Sequence, residues 1–200
     1  MRRILVLAAV AAVALVGTSC KSKSSDIYPM SVGSVWNYDL LVTASTTAAV
    51  ETLMTGTMVN TAVEKATLPS GDGVKFKADM SVTMKTPDTT WTLTTYSYVR
   101  EAGDWILSYS DLNDSTGDTV MMTTPAVGKK WHQGDGTAEV MVQEDVTVKA
   151  GTYKSAWKVK LTNSGVDQFY WYAKGTGLVK VEGPQDGATM TFELTKATIK

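Results

Sequence analysis

Val74-Lys-Phe-Lys-Ala-Asp-Met-Ser-Val-Thr-Met-Lys85 alternates without a break, with Val74, Phe76, Ala78, Met80, Val82 and Met84 on one side and Lys75, Lys77, Asp79, Ser81, Thr83 and Lys85 on the other. A period of two over this length gives an extended strand one apolar and one wet face, whereas a helix would scatter the same residues around its axis. Shorter stretches repeat the pattern: Trp36, Tyr38, Leu40 and Val42; Trp105, Leu107 and Tyr109; Trp157, Val159 and Leu161; Met190, Phe192 and Leu194. Clusters of Gly, Pro, Asn and Asp separate them, at Pro69–Gly73, Thr86–Asp88, Glu101–Asp104, Asn113–Asp118, Gly134–Gly136, Asn163–Gly165 and Gly183–Gly187. Each cluster can reverse the chain, so the strands it joins are antiparallel neighbours. About nine to eleven strands follow from this reading. That many curl, and the predicted fold is an all-β antiparallel meander rolled into a half-barrel or barrel, with a β-sandwich as the alternative. Only Ala44–Leu53, with its Ala, Glu and Leu, has good helix propensity.

The chain has 200 residues, 44% hydrophobic and 20% charged, which describes one globular domain. Its net charge is -1, and -3 without Arg2 and Arg3, so there is no electrostatic basis for a nucleic-acid partner. One Cys precludes an intramolecular disulfide, and one Cys with one His precludes a zinc site built mainly from those ligands. No cofactor-binding pattern is present.

Residues 1–20 place two arginines before an uncharged apolar run, Ile4–Val16, followed by Gly17-Thr-Ser-Cys20. This is the layout of a secretory signal, and the run is too short for the roughly 20 residues of a spanning helix. Small residues before a lone cysteine resemble the lipobox of bacterial lipoproteins, although Gly17 stands where that family usually has Leu. The resemblance implies that Cys20 is acylated and becomes the first mature residue, joining the protein to a membrane. Lys21, where Asp would imply inner-membrane retention in enteric bacteria, implies the outer membrane in a host with two. Residues 21–26 have the composition of a tether, and 27–200 of a single β domain.

Two segments echo each other: Pro29-Met-Ser-Val-Gly33-Ser-Val-Trp36 and Pro125-Ala-Val-Gly128-Lys-Lys-Trp131, with both Gly and Trp displaced by 95 residues. Chance recurrence competes with a shared role in which Gly turns the chain into a strand and Trp plugs the core. These segments, with Val148-Lys-Ala-Gly151-Thr-Tyr153 and Tyr170-Trp-Tyr-Ala-Lys-Gly175-Thr-Gly177-Leu-Val-Lys180, resemble a set of poorly characterised bacterial lipoproteins sharing a YPLxxGxxWxY opening, a VxAGTF turn and a YYxxGxGLVK hairpin. The resemblance implies an exported β-rich lipoprotein. Its motifs are glycines and aromatics and carry no catalytic residue.

Candidate chemistry is sparse. His132 has no triad partner, and Asp111–Asp118 lacks the glycine and glutamate spacing of an EF-hand, so both read as solvated turns or strand ends. Gly175-Thr-Gly177 lacks the third glycine and following helix of a phosphate loop. The run Phe169-Tyr-Trp-Tyr172 sends one aromatic pair to each face, so one pair must meet solvent, a second layer or a ligand. The expected function is non-enzymatic: a binding or scaffolding lipoprotein whose apolar concave face, made adaptable by the strand residues Met54, Met58, Met80, Met84, Met121, Met122, Met141 and Met190 unless these simply fill the core, holds a hydrophobic ligand or an envelope protein's segment. Assembly through exposed strand edges is the second reading, and a hydrolase using carboxylates such as Asp104 or Asp135 the third.

Overall fold

The computed structural model describes residues 26–45, 47 and 49–200; Cys20, the leader and residues 21–25 lie outside them. The strands are β1 (Val35–Ser45), β2 (Val50–Leu68), β3 (Gly71–Lys85), β4 (Asp88–Ala102), β5 (Trp105–Tyr109), β6 (Asp118–Met122), β7 (Lys130–Gln133), β8 (Gly136–Val148), β9 (Gly151–Asn163), β10 (Val166–Ala173), β11 (Gly177–Gln185) and β12 (Ala188–Thr198). They form one twelve-stranded antiparallel sheet in the order β6-β5-β4-β3-β2-β1-β12-β11-β10-β9-β8-β7. The fold is therefore a curled meander, and the two-sheet sandwich is ruled out. Ala44 and Ser45 complete β1 and Val50–Leu53 begin β2, so the two ends of the helix-prone stretch are drawn into the sheet by their neighbours.

Two readings of detail need correction. Gly183-Pro184 belongs to β11, and the turn is only Asp186-Gly187. Pro184 is tolerated because β10 pairs no further along β11 than Glu182, leaving the proline one neighbour, β12. In β5 the fully buried residues are Ile106 and Tyr109, with Trp105 and Leu107 only half-buried, so Trp105, Leu107 and Tyr109 do not share one buried face: the register with β4 sets Ile106, not its neighbours, on the side of Val99.

The sheet's two edges, β6 and β7, approach each other and nearly close a barrel. No ladder joins them among the described residues; the Trp131 indole nitrogen donates to Thr119 O at 3.2 Å, and its ring lies 6.2 Å from that of Trp105.

The echo has a structural counterpart. Gly33 N donates to Ala62 O and Ala62 N to Ser34 O; 95 residues on, Gly128 N donates to Val140 O and Val140 N to Lys129 O. Ser34 N to Ser31 O is matched by Lys129 N to Ala126 O. Both glycines have positive φ, 89° and 82°, and both partner strands bulge just beyond the contact. The molecule is thus two six-stranded meanders, β1–β6 and β7–β12, each entered through the same glycine turn and Trp.

Successive connections fall at opposite ends of the sheet. One end is plugged by Ile27, Tyr28 and Met30, all buried. There the motifs from both ends of the chain meet. The Trp36 indole donates to Thr176 O at 2.7 Å, Tyr38 Oη to Leu178 O at 2.9 Å, and Gly175 N to Asp26 O, while the Tyr28 and Tyr172 rings lie 5.9 Å apart. Burial pushes the Tyr28, Tyr38 and Tyr172 hydroxyls well above the usual tyrosine range, so they stay protonated.

The middle motif caps a strap. Bulges in β8 after Val140 and Glu144, with Ser155 at φ 51°, bend the β8–β9 hairpin. Its tip reaches past β10 and β11, where Ala150 N donates to Leu194 O at 2.9 Å and Lys149 pairs with Asp39 at 2.6 Å. Leu194 lies beside a bulge in β12, where Thr195 drops out of register and turns its hydroxyl to Asn37 O.

Candidate functional site

The sheet comes round to near closure only over its plugged half. β5 pairs with β4 from Tyr98 to Ala102, while β3 runs along β4 from Asp88 to Val99. From Asp88 to Ser97, β4 therefore has a ladder partner on one side only among the described residues. The stretch Thr89-Thr-Trp-Thr-Leu-Thr-Thr-Tyr-Ser-Tyr-Val99 carries no charge, and Pro87 lies before the strand, outside the edge itself. Half of its N–H and C=O groups therefore have no ladder partner among the described residues. Exposed edges are usually blunted by charges, proline or shortness. This one is not, and eleven consecutive residues without charge or proline, most of them β-prone, are the composition that accepts another strand.

The concave surface beside this edge is apolar and partly open. Register aligns Leu40, Gly56, Val82 and Trp91 in one row and Tyr38, Met58, Met80 and Leu93 in the next. Leu40, Val82, Met58 and Met80 are buried, whereas Trp91 is half-buried and Leu93 is 37% exposed, because no strand lies beyond them to complete the wall. Met54 and Met84 pair at the rim and are also half-buried. Gly56 keeps β2 and β3 close, since a Cβ there would stand 2.5 Å from Ser81 O. On the convex side a shallow groove of about 400 Å³ lies between Asp39, Thr55, Thr57, Ser81, Thr83 and the strap's Lys149. Outward hydroxyls on β4 are tied back to β3, Thr90 to Thr83 at 2.8 Å and Thr94 to Asp79 at 2.6 Å.

The remaining sequence candidates fall elsewhere. Cys20 lies outside the described residues. Gly33, Trp36, Gly175 and Gly177 gather at the plugged end, Gly128 and Trp131 at the β6–β7 seam, and Gly151 at the strap's tip, where its φ of 134° and the absence of crowding show that backbone conformation rather than space requires glycine. His132 is exposed on β7. Asp104 and Asp135 occupy turns at opposite ends of the sheet and do not converge. Asp111 and Asp114 accept hydrogen bonds from their own turn, from Asn113 N and Thr116 N, and the second set holds the Asp114 carboxyl below its ordinary range. Among the described residues no three His, Cys, Asp or Glu side chains group as metal ligands.

The aromatic run is resolved by the protein itself. Tyr170 and Tyr172 are buried, burial pushing the Tyr170 hydroxyl up to about 12. Trp171, on the other face, donates to Glu144 Oε1 at 2.8 Å and lies under the ammonium groups of Lys158 and Lys180 at 4.9 and 5.1 Å. The open β4 edge was not singled out from sequence, although its uncharged Thr-rich stretch was the available signal.

No family model matches this chain, and no curated protein matches it. Among solved structures, the chain is similar to a candidate exported protein with a YmcC-like fold from Bacteroides fragilis, at 12% identity and TM-score 0.49, over 84% of this chain and 96% of that one. It is also similar to a candidate lipoprotein from Parabacteroides distasonis, at 14% identity and TM-score 0.44, over 88% and 100%. A β-barrel-like protein from Brucella abortus, a domain of unknown function, matches at 12% identity and TM-score 0.36, over 84% and 98%. No activity, ligand or partner passes to this chain from likenesses at that level.

Proposed function

We propose that this chain is an exported cell-envelope lipoprotein, held to a membrane through an acylated Cys20, that works without catalysis by adding a polypeptide strand to the open edge of β4. In a host with two membranes, Lys21 after the cysteine favours the outer one. The observation that carries the reading is the uncharged, single-sided stretch of β4 from Asp88 to Ser97. Main-chain hydrogen bonds along an open edge supply affinity, and alternate side chains supply selectivity. Here an added strand would lay apolar side chains beside Trp91 and Leu93 and polar ones beside Thr90, Thr92 and Thr94. A hydrophobic small ligand is the second reading, favoured by the half-buried Met54, Met84 and Trp91 on the concave face.

The test places a photoreactive residue at Thr92 of the chain in its own envelope, with Asp135, in an exposed turn, as the control. Strand addition predicts a discrete cross-linked adduct from position 92 that is absent from position 135 and lost when Leu93→Lys puts a charge on the edge. Equal labelling at the two positions would overturn it. The intact mass of the purified chain tests the anchor separately: an unmodified Cys20 thiol would overturn that part alone.

A further inference from the structure

We infer that the strand received by the β4 edge is the same edge of a second copy of this chain, paired antiparallel about a twofold axis through Thr92. The inference rests on the strand-addition reading above and names its partner.

The order of residues along the edge fits this pairing. Thr89-Thr-Trp-Thr-Leu-Thr-Thr95 reads the same in polarity from either end. Two such strands, antiparallel and centred on Thr92, set Thr92 against its own copy and Thr90 against Thr94, all on the convex face. On the concave face they set Trp91 against Leu93 twice and Thr89 against Thr95. Every apolar residue thus meets an apolar one and every threonine a threonine, and aromatic–aliphatic and Thr–Thr pairs are favourable cross-strand combinations. Other twofold registers that keep the faces aligned do worse. Centring on Leu93 sets Trp91 against Thr95, and centring on Trp91 sets Leu93 against Thr89. No charge obstructs the match, since the nearest ionisable residues on the strand are Asp88 and Arg100, and Asp88 would face Tyr96.

The surface left on each copy also needs such a partner. Leu93 is 37% exposed and Trp91 half-buried only because the concave wall ends at β4, and a symmetric copy would continue that wall with the same two side chains. An isologous contact of this kind closes on itself and leaves no further edge of the same sequence free, so it stops at two copies. The axis puts the two plugged ends, and the tethers that leave from them, at opposite ends of the joined sheet.

Sedimentation velocity of the purified full chain at about 100 µM, in detergent when acylated, should give a species of twice the chain mass. Thr90→Lys with Thr94→Lys sets like charges opposite each other in both pairs and should weaken association at least about tenfold. Thr90→Asp with Thr94→Lys sets opposite charges there and should restore association to within about threefold, which happens only in the Thr92-centred register. Both variants carry changes at the same two exposed sites, so a folding defect would appear in both and be seen as a common loss of near-ultraviolet circular dichroism. A monomer at this concentration, or a dimer indifferent to the Lys pair, would overturn the inference. The adduct from position 92 separates the two claims. A mass of two chains supports both, a different partner mass overturns only the second copy, and no adduct overturns strand addition itself.

Discussion

Trp36 is fully buried, packs 6.2 Å from Phe76 and donates to a carbonyl 140 residues away. Trp36→Ala therefore removes core volume and a long-range tie together, and should cost about 3–5 kcal/mol, read as a lower urea midpoint. Trp36→Phe keeps most of the packing but leaves Thr176 O without its indole partner, at a cost of about 1–2 kcal/mol. Trp131 is 7% exposed and holds the β6–β7 seam. Its Ala variant should lose a comparable amount, and an unchanged midpoint would show that the seam closes without it. Both tryptophans were legible as anchors because each follows a glycine that turns the chain into an alternating segment. Their acceptors were not, since Thr176 O and Thr119 O are brought there by strand order alone.

Among the elements, β3 holds its predicted faces: Val74, Phe76, Met80 and Val82 are buried, with Ala78 and Met84 half-buried, and its other face is ion-paired and wet. Ala78→Asp should destabilise by about 2 kcal/mol, because a carboxylate must then sit against the core, while Lys77→Asp should stay within about 0.5 kcal/mol. Equal melting temperatures for the two variants would contradict the amphipathic strand. The strap behaves differently. Lys154 and Ser155 N hold the Asp145 carboxyl below its ordinary range, and this bond supports the left-handed Ser155 that bends the hairpin. A carboxyl lowered in the folded state stabilises above its unfolded pKa, and that contribution is lost as pH falls through the folded one. The strap should therefore loosen in acid, once the pH falls below the ordinary carboxylate range, and Asp145→Asn should loosen it at neutral pH. The nuclear magnetic resonance shift of the Ala150 amide, which bonds to Leu194 O, reports both, and a shift that stays constant in acid would count against the mechanism.

For the whole molecule, the proposed lipid anchor would set an orientation. Six residues span at most about 20 Å, so acylation of Cys20 as proposed would keep Asp26, and the plugged end, next to the bilayer. Connections at that end carry Lys129, Lys149, Lys174 and Lys200 against Asp26 and Asp104, whereas those at the opposite end carry Asp111, Asp114, Asp135 and Asp186 and no basic residue. An anionic surface favours the first arrangement. Because the dimer turns its two plugged ends in opposite directions, the test uses the chain with Thr90→Lys and Thr94→Lys, which stays single: a fluorescent residue at Val127, 62% exposed at the plugged end, should be quenched by brominated phosphatidylglycerol in vesicles carrying that anchored variant. One at Asp135 should not be, and the reverse pattern would overturn the orientation.

The all-β class, the antiparallel meander and the rolled sheet followed from the sequence alone, though its nine to eleven strands fall short of the twelve observed, because period-two alternation and turn chemistry are local: each residue's face is set by its immediate neighbours along the chain. The recurrence at Gly33 and Gly128 was visible as well, but only as spacing. The equivalent hydrogen bonds to Ala62 and Val140 depend on where a second strand bulges. Tertiary structure alone decided that the plug, the hairpin motif and the strap converge, and that β5 stops short of Thr95. Those outcomes depend on how far each strand runs beside its neighbour. Strand length and register arise from pairing across the sheet, where contacts between residues far apart in sequence compete, and no window of the chain contains both partners.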